Sequence, residues 1–191
     1  MIVYYAMGKN KLIVWFSAWL AFMILVVFLT QPDSRPSKFD EVSFQTTESA
    51  ELYFRNVRSF YYNFREEGGG AFDAYRFSAL YEDTLSFGVR FVIYNSWRQN
   101  MAFVRVDTNY TKFAATDYLV SASANGDIDS IRPPDQYNES HYDFAKNVFL
   151  AARAKNRIGI PQKTDTLWVS ESDMANIRQT LRDYFKLIGK I

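Results

Sequence analysis

His141 is the sole histidine of a 191-residue chain that has no cysteine, so any imidazole chemistry rests on this one side chain. Glu139 and Asp143 lie beside it, and Asp127 and Asp129 precede it by a loop. A carboxylate–imidazole group can serve as an acid–base pair or as part of a metal site. On a helix, however, Glu139 and Asp143 stand at i−2 and i+2 and point away from His141. His141 instead shares an apolar stripe with Phe144, Ala145 and Val148. The favoured reading is a packed structural histidine, with catalysis as the weaker alternative. One histidine and no cysteine would leave zinc three carboxylates to find, so neither a metal nor a cofactor is expected.

Other residues could make contacts rather than reactions. Asn125-Gly126-Asp127-Ile128-Asp129 has the start of a calcium loop but lacks the distant glutamate, and Asn-Gly reads better as a hairpin turn. Lys146, Arg153, Lys155, Arg157 and Lys163 fall in a stretch with no acid. Such a stripe suits anionic headgroups or an acidic partner, or is simply a solvated helix face. Trp97 beside Arg98, in the loop Asn95–Asn100, is either a contact anchor or a ring folded back on the sheet. Asn109-Tyr110-Thr111 and Asn138-Glu139-Ser140 match the glycosylation acceptor pattern, which matters only on a eukaryotic secretory route. No G-x-S-x-G, Walker or H-E-x-x-H motif occurs.

The elements that must position these residues begin with Leu12–Thr30, 19 residues without a charge. At about 1.5 Å per residue they reach roughly 28 Å, close to a bilayer's hydrocarbon thickness. The run is longer than a signal-peptide core and has no small-x-small exit, so an uncleaved anchor is expected. Lys9 and Lys11 precede it, placing the N-terminal tail (1–11) in the cytoplasm and the rest outside. Ser17 and Ala21 form a small-xxx-small pair that leaves a homodimer open. Residues 31–40 are a tether that spans at most about 35 Å. The cysteine-free outer part favours a bacterial inner membrane with a periplasmic domain.

Residues 41–191 read as one α+β domain. A helix opens at Thr46 or Thr47 and runs to Val57, supported by an expected Glu51–Arg55 ion pair. Arg58–Phe64 and Ala71–Tyr81 suit strands around the Gly68–Gly70 turn. Phe87–Tyr94 with Met101–Asp107, and Tyr118–Ala124 with Asp127–Ile131, form two further hairpins. Helical spacing covers Glu139–Lys155, ended by Gly159 and Pro161. A short strand at Asp165–Val169 leads to a helix capped by Ser170 and stopped by Gly189. The expected architecture is an antiparallel, meander-like sheet with helices on one face. It is similar to small bacterial proteins built from one anchor helix and one outer domain.

Composition narrows the function. The chain carries 22 basic and 21 acidic side chains, and from Asp40 onward 18 and 20. That balance excludes a nucleic-acid partner. Three readings remain: a non-catalytic membrane-anchored interaction module, an accessory component of an envelope complex partnered with lipid and another envelope protein; a tethered hydrolase using His141 with a remote carboxylate or serine; and a sensor or carrier for a small apolar ligand.

Overall fold

The computed structural model describes residues 14–24, 26, 38–81, 89–107, 118–162 and 164–191. The chain divides into two units, Met1–Arg35 and Pro36–Ile191. In the first, residues 14–24 form a helix, α1, with exposed side chains. Among the described residues no helix is long and apolar enough to cross a membrane. The expected anchor, Leu12–Thr30, lies only partly within them; the tail 1–11 and most of the tether lie outside.

The second unit is α+β with two antiparallel sheets. Thr47 caps α2 (Glu48–Tyr53) by accepting a hydrogen bond from the Ala50 N–H at 3.3 Å. The helix then widens into a π-helical stretch, Phe54–Arg58, and tightens into a 3-10 turn, Ser59–Tyr61. This corrects the strand expected from Arg58: the aromatic run is helical through Tyr61. Glu51 accepts a bond from the Thr46 hydroxyl, and no Glu51–Arg55 pair forms among the described residues.

The first sheet is a meander of β1 (Tyr62–Glu67), β2 (Phe72–Phe77), β3 (Phe91–Ser96) and β4 (Met101–Val106). Gly68, Gly69 and Gly70 all adopt positive φ in the β1–β2 turn, which explains three glycines in a row there. The strand expected to continue to Tyr81 gives way to a single helical turn, α3 (Ser78–Tyr81). Residues 44–46 extend the β4 edge: the Ala102 N–H donates to Phe44 O and the Thr46 N–H to Asn100 O.

The second sheet has the order β6-β5-β7-β8, built from β5 (Leu119–Ala122), β6 (Ile128–Ile131), β7 (Arg157–Pro161) and β8 (Thr166–Trp168). Between β6 and β7 runs α4 (Asn138–Arg153), and after β8 comes α5 (Glu171–Leu187). The single expected sheet is therefore two, because β7 returns beside β5 rather than extending the meander. β7 also corrects the helix end expected at Gly159 and Pro161. The chain leaves α4 at Lys155, which takes φ 61°, and Gly159 sits mid-strand between Val120 and Trp168.

Helices α4 and α5 pack on each other and on β3 and β4. Alternation along the strands turns Phe91, Ile93, Val104 and Val106 toward them, all buried. Phe91 meets the Phe144 ring at 5.9 Å, and Tyr142 meets Phe185 at 5.8 Å. The capping signals of α5 stand as read: Ser170 accepts from the Asp173 N–H, and Gly189 takes φ 67°.

Candidate functional site

His141 lies in the first turn of α4 and is 8% exposed. Its Nδ1 accepts a hydrogen bond from the Val106 N–H at 3.3 Å, closing the edge of β4 against the helix. Burial pushes the imidazole below its usual range, and the Arg105 guanidinium adds to this, while Asp135 opposes it. Glu139 and Asp143 are exposed on the helix's outer side. The arrangement fixes a helix to a strand. Among the described residues no group of three metal-ligating side chains comes together. At Asn125–Asp129 the chain makes a hairpin: Ser123 Oγ accepts from the Asn125 and Asp127 N–H groups, and Gly126 takes φ 88°.

The contact candidates separate in space. Trp97 folds back: its indole N–H donates to Asp73, and its ring meets Tyr75 edge-on at 6.4 Å. Arg98 beside it is exposed. Lys146 pairs with Asp143 at 3.4 Å and with Asp40 at 3.6 Å, acids that the sequence interval did not contain or placed elsewhere. Arg157 lies over the Trp168 ring at 4.4 Å. Lys155 forms the left-handed exit of α4. Lys155 and Arg157 line a concavity with Glu171 and Arg178, and Arg153 also joins other cations. It lines a groove of about 540 Å³ between α4 and α5 with Arg178 and Arg182. Lys163 and the acceptor pattern at 109–111 lie outside the described residues.

Sequence reasoning missed one surface feature of the second unit. Leu52, Tyr53, Val57, Phe60, Tyr61 and Phe64 are all exposed, Phe60 by 80%. Six large apolar side chains within 13 residues form the kind of exposed apolar concentration that marks an interaction site. The segment that carries them is bonded to α5 and the core from beneath. Asp183 of α5, 4% exposed, accepts from Arg58 Nε at 2.9 Å, from the Tyr62 hydroxyl at 2.8 Å and from Gln179 Nε2 at 2.9 Å. Phe54, the buried side chain of the π-helical stretch, packs on Tyr62 and Tyr75 at 5.4 and 5.1 Å. The Arg58 guanidinium, anchored by Asp183, lies over the Tyr61 ring at 4.6 Å.

A row of cations on α5 reaches this surface at one end. Arg178, Arg182 and Lys186 stand at i, i+4, i+8 on α5, one face of the helix. None of them forms an ion pair among the described residues. Lys186 Nζ sits 3.9 Å from the Tyr53 ring centroid, so the row ends on the aromatic surface. The signal was present in the sequence as the i, i+4 spacing of the cations. Only the fold shows that it ends beside Tyr53.

A second concavity, about 310 Å³, is lined by Glu67, Phe72, Tyr94, Phe103 and Arg105 of the first sheet and by Asn138 of α4. Arg76 bonds Glu67 at 2.8 Å and Asp107 at 3.3 Å, and Arg105 donates to the neutral amide of Asn138. The Arg76 guanidinium holds the Glu67 carboxyl below its usual range. Compared with known proteins, the chain matches no family model, no curated protein and no solved structure.

Proposed function

We propose that the chain is a membrane-anchored extracytoplasmic interaction module, a non-catalytic accessory component of an envelope complex. The observation that carries this reading is the run of exposed apolar side chains from Leu52 to Phe64, on a segment that Asp183 bonds through Arg58 and Tyr62. A solvated domain gains nothing from six large apolar side chains in water; a domain that covers them on binding does. The uncharged run Leu12–Thr30 supplies the anchor, and Lys9 and Lys11 set its direction.

Two measurements on the full-length chain test the reading. Protease added to intact spheroplasts should digest the C-terminal domain and spare the N-terminal tail. A mature N-terminus between about Thr30 and Lys38, or a protected C-terminal domain, would overturn the anchored topology. In mild-detergent extracts of native membranes the 22.3 kDa chain should migrate within a discrete, larger assembly. Migration only as monomer or homodimer would remove the envelope-complex assignment.

A further inference from the structure

We infer that the aromatic surface of residues 52–64, with the Arg178–Arg182–Lys186 row of α5 reaching its edge at Lys186, is a bilayer-interface contact that takes anionic phospholipid. The inference rests on the anchored reading above and goes beyond it: the domain lies against the membrane on this face instead of standing free on its tether.

Three observations lead to lipid. The surface combines exposed Tyr and Phe with aliphatic Leu52 and Val57, the mixture that settles at the depth of the headgroups. The cations of the row have no carboxylate partner among the described residues, although residues 40–191 hold two more acids than bases. Lys186 next to the exposed Tyr53, with Arg182 and Arg178 one and two turns earlier on α5, complements a negatively charged lipid surface. Finally, a tether of ten residues that spans at most about 35 Å keeps the surface within reach of the bilayer.

A second copy of the chain fits less well. A two-fold contact through this segment would offer the cations no carboxylate, because residues 52–64 contain none.

The absence of cysteine makes the test direct. A nitroxide is attached to full-length Val57→Cys, and separately to Ile128→Cys as a control on β6. Ile128 is 70% exposed, and among the described residues its strand pairs only with β5. Each protein is reconstituted in vesicles of phosphatidylcholine alone or of an equimolar mixture with phosphatidylglycerol. Accessibility to dissolved oxygen and to a polar nickel chelate is then read by electron paramagnetic resonance. Resistance to alkaline carbonate reports the anchor independently.

The expected result is oxygen-rich, nickel-poor contact at position 57 in the mixed vesicles, weakened in phosphatidylcholine or high salt, with position 128 open to nickel throughout. Neutralising each cation (Arg178→Gln, Arg182→Gln, Lys186→Gln) should lower interfacial occupancy about fivefold. Circular dichroism confirms that each variant is folded.

A carbonate-resistant chain whose position 57 stays open to nickel overturns the lipid contact and leaves the anchor standing. Position 57 shielded from both reagents in lipid-free detergent assigns the surface to protein, a second copy or another chain, and also overturns the proposal. Loss of the chain to carbonate with oxygen-rich contact retained overturns the anchor alone and supports the lipid contact.

Discussion

At the scale of single residues, His141 shows how one position can be read for chemistry and found in packing. Its ring is buried, and Nδ1 is occupied by the Val106 N–H, so the side chain joins α4 to β4. His141→Gln should lower stability by about 1–3 kcal/mol, the range for disturbing a buried polar contact. The pH dependence gives an independent signature. Burial and Arg105 depress the folded-state value below the ordinary 6.5. A depressed value contributes stability that is present above pH 6.5 and is lost as pH falls through the folded value. Chemical denaturation of the detergent-solubilised chain should therefore show stability declining as pH falls below 6.5, with a shallower decline in His141→Gln. A variant of unchanged stability that abolishes the native phenotype would restore the tethered-hydrolase reading. The face occupied by His141 was legible because helical spacing alone places it with Phe144 and Val148. Its partner was not, since Val106 is 35 residues away and contributes a backbone group common to almost every residue.

At the scale of elements, two misreadings have physical causes. The stretch from Arg58 to Phe64 is rich in aromatics, which favour strands when considered locally. Tertiary contact overrides that preference: Phe54 sinks into the core and Asp183 grips Arg58, drawing the chain through a π-helical and a 3-10 turn before β1 begins. That same capture leaves Phe60 and Tyr61 outward. Periodicity cannot distinguish an outward aromatic from an inward one when both occur in succession. The second misreading is β7, where glycine and proline looked like the end of a helix. Gly159 is there because of close packing: a Cβ at this position would lie 2.5 Å from Thr166 Cγ2 and 2.8 Å from Trp168 Cε3. The Leu167 backbone oxygen would stand 3.2 Å away. Gly159→Ala should push β8 from β7 and cost about 1–3 kcal/mol, as overpacking does. Thermal unfolding of the full-length variant checks this. An unchanged or raised midpoint would show that β8 can shift without penalty and that the close approach does not select glycine.

At the scale of the whole molecule, the core carries many phenols that folding keeps from ionising. Burial raises Tyr62, and Asp183 beside it adds to the rise; Tyr81 is raised by burial and by Asp107. Tyr75 and Tyr142 are each pushed up to about 12, chiefly by burial. Tyr184 rises for the same reason, and its hydroxyl has no hydrogen-bond partner among the described residues. These side chains come from β1, β2, α3, α4 and α5, so their ionisation reports on the assembled unit rather than on one element. A phenol raised above the ordinary 10.0 contributes stability that is complete below pH 10.0 and is lost as pH rises through the folded value. Lys190 has the opposite sign: burial lowers it below 10.5, while its ammonium donates to the Lys38 and Glu41 carbonyl oxygens. One opposing group does not offset several phenols. Above pH 10 each phenol still protonated in the fold steepens the loss by about 1.4 kcal/mol per pH unit. Alkaline titration of the detergent-solubilised chain should then release a block of phenolate absorbance in step with the collapse of near-ultraviolet circular dichroism. Phenolate absorbance complete near pH 10 with the dichroism intact would mean that these rings are open to solvent, and that the packing between the meander sheet and α4 and α5 is looser than the distances between their rings imply.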